Sequence, residues 1–152
     1  MAHFHGSIRT AWSVDEAFAY MADLRNFAEW DPGTHAVAQV RGSGSGPGAA
    51  YDVEVHVGRP TMTLHYEIVE WDPPRRLLAR GDNAWLVSYD EITVEAEGAL
   101  TVVTYDARIE LRGVLGVLDG LVDRGFQTTG KRAAAGLHGV LAGAPDGGSA
   151  SP

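Results

Sequence analysis

Alternation of apolar and polar residues dominates the middle of the chain. In residues 51–57 and 62–68 every second side chain is apolar, which is the pattern of strands with one buried face. Turn signals at Gly81-Asp82-Asn83 and at Glu97-Gly98 separate further runs of the same kind. The strands predicted in this way are residues 3–10, 35–40, 51–57, 62–68, 75–80, 84–97 and 100–112.

Three segments follow helical spacing instead. Ser13 and Glu16 form a capping box, so a helix is expected to begin there. A second, short helix is predicted from Asn26 and ends at Pro32-Gly33. Residues 113–141 carry an apolar stripe at spacings of three and four, which predicts a long helix. The stripe comprises Leu118, Val122, Phe126, Thr129, Ala133, Leu137 and Leu141.

The order of these elements predicts an α+β fold. Consecutive strands imply an antiparallel meander, and the long helix must bury its stripe against the only large apolar face, which is the sheet. Residues 1–142 are therefore expected to form a single domain, and residues 143–152, rich in Gly, Ala, Ser and Pro, a flexible tail. The many glycines of the last helix have two explanations, either sequence drift or volume left for a ligand.

Composition and charge exclude several classes of function. With 12 basic and 20 acidic residues the net charge is −8, which disfavours nucleic-acid binding. The absence of cysteine excludes disulfides and thiolate chemistry. The sequence contains no apolar run long enough to span a membrane, and its first residues do not resemble a signal peptide. A cytoplasmic protein is therefore expected. The six histidines have no metal-ligand spacing and no dinucleotide fingerprint occurs, so neither metal nor cofactor is predicted.

Several motifs resemble those of one superfamily. They are Ser13–Tyr20, Asp23–Gly33, Glu70–Leu77, Thr101–Tyr105 and Leu111–Gly113. Over about residues 4–141 the chain is similar to the START-related ligand-binding superfamily (SRPBCC), most of all to its polyketide cyclase/dehydrase branch. The resemblance implies a helix-grip fold, in which a curved antiparallel sheet of six to seven strands wraps a long C-terminal helix and two short helices follow the first strand. It also implies a cavity between sheet and helix for hydrophobic small molecules.

Three tyrosines fall on inward strand faces. Tyr51, Tyr66 and Tyr105 each need a hydrogen-bond partner for a buried phenol. Each one alone could simply pack and bond a backbone carbonyl. The three together favour a cavity lined for a ligand.

The direction of Asp90 depends on the strand register. If Ile92 and Val94 face inward in a regular strand, Asp90 does too. Burial would then raise the pKa of its carboxyl, which could serve as a general acid or base.

A β-bulge would reverse this arrangement. It would place Trp85, Val87 and Tyr89 inside and leave Asp90 in water or paired with Arg75-Arg76. Because the set containing Trp85 is the larger apolar one, this second register is the favoured interpretation.

These observations lead to two hypotheses. The first is a domain, monomeric or homodimeric, that holds an aromatic or polyketide-like molecule in a cavity of about 300–1,000 Å³. The second is that the domain also acts on this molecule as a cofactor-independent cyclase/dehydratase, with Tyr66, Tyr105 and Asp90 as candidate catalytic residues. A non-catalytic carrier or sensor and a protein-partner module of the same fold remain alternatives. The predicted ligand-binding residues are Trp30, Tyr51, Val53, Val55, Leu64, Tyr66, Trp85, Tyr105, Ile109, Leu118, Val122 and Phe126.

Overall fold

In the residues that the structure describes, the fold consists of a seven-stranded sheet and three α-helices. The computed structural model describes residues 2–56, 60–113 and 119–143, without the side chains of residues 119–122. A single 3₁₀ turn, Leu24–Asn26, precedes the second helix. In chain order the elements are β1 (Ala2–Thr10), α1 (Val14–Ala22), α2 (Phe27–Trp30), β2 (Thr34–Arg41), β3 (Ala50–His56), β4 (Thr61–Asp72), β5 (Arg76–Asp82), β6 (Leu86–Glu97), β7 (Leu100–Leu111) and α3 (Asp119–Leu141).

The sheet is a meander that is extended by the first strand. Its order is β1-β7-β6-β5-β4-β3-β2, and every neighbouring pair is antiparallel. Strands β2 to β7 follow one another by hairpins, whereas β1 pairs with β7, with Ala2 opposite Ile109. The curved sheet, the long C-terminal helix and the two short helices after β1 confirm the predicted helix-grip fold.

The first helix begins at the predicted capping box. Ser13 Oγ accepts a hydrogen bond from the backbone N–H of Glu16, and the Glu16 carboxylate accepts one from the backbone N–H of Ser13. A cap of this kind contributes about 1 kcal/mol to stability. The buried face of α1 carries Phe18 and Met21 and packs on β6, which fills the interior at this end of the sheet.

Glycines bring the last helix close to its neighbours. Helix α3 packs along β1 and against α2. A Cβ at Gly130 would overlap the ring of Phe4, and one at Gly136 would overlap the carbonyl oxygen of Trp30. At these two positions the absence of a side chain therefore serves close packing. Of the predicted stripe, Ala133, Leu137 and Leu141 are buried.

Candidate functional site

A cavity of about 480 Å³ lies between the sheet and α3. Its walls are mainly apolar and come from β3, β4, β6, β7, the turn after α2, and α3. The predicted ligand-binding residues that line it are Val53, Val55, Leu64, Tyr66, Trp85, Tyr105, Ile109 and Phe126. The volume falls within the range expected from the sequence.

Two of the other predicted residues, Tyr51 and Trp30, are not among the residues that line the cavity. Tyr51 is fully buried in the core, and its hydroxyl donates to the Gly44 carbonyl oxygen at 3.4 Å, so the packing alternative holds for this tyrosine. Trp30 lies behind the wall, where its ring packs edge-to-face on Tyr105 with centroids 5.5 Å apart. Leu118 and the side chain of Val122 fall outside the described residues.

Asp90 points into the cavity, so the bulged register is wrong. Strand β6 pairs with β5 and with β7 in unbroken register through Asp90, and only 3% of this residue is exposed. The register shifts of the sheet lie elsewhere, in the pairings of β2 with β3 and of β4 with β5.

The surroundings of Trp85 and Tyr89 explain why comparing the apolar residues on the two faces of β6 favoured the wrong register. Trp85 precedes the strand and lies at the mouth of the cavity with 57% of its surface exposed. Tyr89 lies directly opposite Arg80 on the outer face. Arg76 pairs with Glu70 and Glu91 at 2.8 and 2.7 Å, so it is not a partner of Asp90.

Three hydroxyl groups hold the Asp90 carboxylate. Ser88 Oγ donates to Oδ1 at 2.7 Å, and the Tyr66 hydroxyl donates to the same oxygen at 3.2 Å. The Tyr105 hydroxyl donates to Oδ2. An ionised carboxylate can only accept hydrogen bonds, so all three hydroxyl protons are directed at Asp90.

Small neighbours make room for this cluster. Ala79 and Ala107 lie directly opposite Asp90 on the two adjacent strands. Gly81 lies opposite Tyr66, and a Cβ at Gly81 would come within 2.5 Å of the tyrosine ring. The ring of Tyr66 thus lies over Gly81, with its hydroxyl directed at the carboxylate.

Burial governs the protonation of the cluster. It raises the pKa of Asp90, and although hydrogen bonds from Tyr105, Ser88 and Tyr66 oppose this shift, they do not cancel it. Burial and the charge of Asp90 also raise the pKa of Tyr66 and that of Tyr105 well above the ordinary phenol value. The phenols therefore stay protonated, and the carboxyl is the group in this cluster that loses its proton first as the pH rises.

Asp31 is a second carboxyl in the cavity wall. Its Oδ1 accepts from the backbone N–H of Gly33 at 2.9 Å, and its Oδ2 accepts from Thr34 Oγ1 at 3.0 Å. Burial raises its pKa, against the effect of these hydrogen bonds. From the sequence, Asp31 was predicted only as part of a helix end, and its side chain was not predicted to line the cavity. The sequence did contain one indication that Asp31 lines the cavity, since it follows Trp30, which was predicted to bind the ligand.

Histidines outside the interior do not form a metal site. On the outer face His3 and His5 contact the Asp106 carboxylate at 2.8 and 3.0 Å, and His56 lies at the rim of the cavity. In the part of the chain that the structure describes, no three His, Cys, Asp or Glu side chains are grouped to hold a metal ion. That the protein needs neither metal nor cofactor stays a prediction.

The fold and the cavity between the sheet and α3 define a helix-grip protein. A family model described as "Polyketide cyclase / dehydrase and lipid transport" matches residues 1–142. The chain therefore belongs to this family. A search of curated proteins found no match. Among the described helices, none has the length and apolar character needed to cross a membrane.

Solved structures share the fold at low sequence identity. A START superfamily protein from Mycobacterium smegmatis is 12% identical with a TM-score of 0.76, over 93% of this chain and 97% of the other. The ZhuI aromatase/cyclase from Streptomyces sp. R1128 is 17% identical with a TM-score of 0.68, over 90% and 91%. The di-domain aromatase/cyclase BexL is 16% identical with a TM-score of 0.66, over 94% of this chain and 50% of the other.

Proposed function

We propose that this domain binds an aromatic, mostly apolar small molecule in its cavity and acts on it as a cofactor-independent cyclase/dehydratase. The observation that carries the proposal is the Asp90 carboxyl, which is buried in the wall of an apolar cavity and held by three hydroxyl groups. Burying a carboxyl opposes folding even where hydrogen bonds reduce the cost, and perturbed groups of this kind are concentrated at functional sites.

The apolar walls support the binding half of the proposal. Val53, Val55, Leu64, Ile109 and Phe126 offer contacts to a ring system but no hydrogen bonds. Sites that combine such walls with a few placed polar groups are typical of small-molecule binding. The polar end of the ligand then lies against the Asp90 cluster.

The catalytic half of the proposal is proton transfer by Asp90. Its carboxylate takes a proton from the carbon next to a ketone, and the acid so formed gives that proton to a hydroxyl leaving the β-carbon. One C–H and one C–O bond break, a C=C bond forms, and water leaves. Tyr66 and Tyr105 hold the carboxyl in place. Similar structures named aromatase/cyclase support this class of reaction.

Dehydration of a model β-hydroxy ketone tests the proposal. With 4-hydroxy-4-(2-naphthyl)butan-2-one, the conjugated enone formed is followed by its absorbance, and binding is measured separately by calorimetry. We expect Asp90→Asn to lower turnover by about 10²–10⁴-fold. Its affinity for the ketone should change far less.

Tyr89→Phe provides the matched control, because this tyrosine lies on the outer face of the same strand as Asp90. It should turn over like the wild type, whereas Tyr105→Phe should be slower. If wild type and Asp90→Asn formed enone at equal rates, acid–base catalysis by Asp90 would be refuted. If the wild type bound the ketone and formed no enone, a carrier or sensor would be the better description.

A further inference from the structure

Among the lining residues that the structure describes, every hydroxyl group in the interior of the cavity donates its proton to a carboxylate. Around Asp90 the donors are Ser88, Tyr66 and Tyr105. Thr34 Oγ1 gives its proton to Asp31 at 3.0 Å, and the backbone N–H of Gly33 bonds the same carboxylate. With both carboxylates ionised, these groups present only lone pairs to a ligand.

Among the lining residues that the structure describes, the other side chains with an N–H or O–H donor lie at the mouth. Those of His56, Trp85 and Thr129 line the cavity and are largely exposed. A ligand carbonyl can therefore be satisfied there or by water, but not in the interior. The lining residues that the structure describes include two aspartates and neither Lys nor Arg. An anionic group would thus enter a low-dielectric space next to two like charges.

We infer that the cavity selects neutral ligands that present O–H or N–H donors, such as phenols or aryl alcohols, and rejects carboxylates, sulfates and phosphates. This inference rests on the proposed binding function. The donor end of the ligand lies against Asp90 or Asp31, and any carbonyl group points to the mouth. For the β-hydroxy ketone considered above, this orientation brings the hydroxyl that leaves next to Asp90.

A set of probes with one ring system and different polar groups tests the inference. The dissociation constants of 2-naphthol, 2-methoxynaphthalene and 2-naphthoate are measured by calorimetry with the wild-type protein at about pH 8, above the ordinary carboxyl range. We expect 2-naphthol to bind at least about 10-fold more tightly than 2-methoxynaphthalene, since a hydrogen bond to a charged acceptor is lost in the ether. The affinity for 2-naphthoate should be lower still.

Replacing the carboxylates by amides should relax this selection. In the Asp31→Asn/Asp90→Asn double variant the amide groups supply donors, so we expect 2-naphthoate to gain at least about 10-fold in affinity. Asp52→Asn is the matched control, because it removes a charge from the outer face at a residue that does not line the cavity. It should leave the order of the three probes unchanged.

The outcomes separate the two proposals. If none of the probes bound, the proposed binding function would fail and the inference with it. If 2-naphthoate or 2-methoxynaphthalene bound as tightly as 2-naphthol, the cavity would stand as a binding site and the selection of donors would be refuted. The wild-type series decides this without any variant, so poor folding of the double variant would not rescue the inference.

Discussion

Replacing Gly81 by alanine should displace Tyr66 from Asp90 and destabilise the protein. The new Cβ would lie 2.5–2.7 Å from three atoms of the tyrosine ring, whereas ordinary contacts begin at 3.4 Å. The ring must therefore retreat by roughly 1 Å to reach a normal van der Waals separation. Only 5% of Tyr66 is exposed, so its surroundings resist this movement.

The magnitude follows from three contributions. Overpacking a core position costs about 1–3 kcal/mol. The hydrogen bond from the Tyr66 hydroxyl to Asp90 is already 3.2 Å long, so it is lost when the ring retreats. Because the acceptor is charged, this loss destabilises the protein by about 1.5 kcal/mol more. Alanine also lowers the backbone entropy of the unfolded chain, which stabilises the folded protein by about 0.4–1 kcal/mol. We expect a net loss of about 1.5–4 kcal/mol in the free energy of unfolding.

Urea unfolding of five proteins, the wild type and four variants, checks this expectation. Gly46→Ala is the matched glycine control, because nothing lies within 4 Å of its Cβ position, and it should be neutral or slightly stabilising. The wild type, Gly81→Ala, Tyr66→Leu and the Gly81→Ala/Tyr66→Leu double variant form a mutant cycle. In the Tyr66→Leu background the ring is gone, so Gly81→Ala should stabilise by about 0.4–1 kcal/mol.

Two results would contradict the steric explanation. One is a Gly81→Ala variant whose stability lies within about 0.5 kcal/mol of the wild type, the usual range for substitutions without a specific effect. The other is an equal loss of stability with and without the Tyr66 ring, which would place the cost in the backbone of β5.

Three further predictions concern other parts of the molecule. Burial raises the pKa of Asp31, so its ionisation opposes folding. The stability of the wild type relative to Asp31→Asn should therefore fall as the pH rises above about 4. Urea midpoints that changed in the other direction would contradict this. Gly136→Ala should destabilise by about 1–3 kcal/mol because of the Trp30 carbonyl, whereas Gly139→Ala, with open space around it, should stabilise by up to about 1 kcal/mol; thermal unfolding distinguishes them. Trp85→Ala should change stability little and weaken 2-naphthol binding by about 2–10-fold in calorimetry, and an unchanged affinity would remove Trp85 from the binding site.

Local signals in the sequence predicted most of the fold. The capping box of Ser13 and Glu16 depends on residues three positions apart, and the structure confirms it. Alternation marked the strands because each has one face toward the interior. Glu97-Gly98 was recognised as a turn, and Gly98 has the positive φ of 62° that favours glycine.

The candidate site depends on contacts between distant residues. Tyr66 and Tyr105 lie 24 and 15 positions from Asp90, and their hydroxyl protons make its burial tolerable. A comparison of apolar residues on the two faces of β6 contains no information about these donors. It therefore favoured a solvated Asp90, which the structure corrects. Asp31 was missed for a similar reason, because a turn was a sufficient explanation for Asp31-Pro32-Gly33.

The pairing of β1 with β7 has a consequence for synthesis of the protein. Ala2 pairs with Ile109. A ribosome adding about 5–20 residues per second reaches Ile109 only about 5–20 s after Ala2. During that interval β1 lacks its partner strand and has an open edge, and edges of this kind recruit other strands. The hydroxyl of Thr10 gains its partner even later, because it donates to the carbonyl oxygen of Leu141. Nascent chains halted before β7 should therefore be the species of this protein most prone to aggregate and most dependent on chaperones.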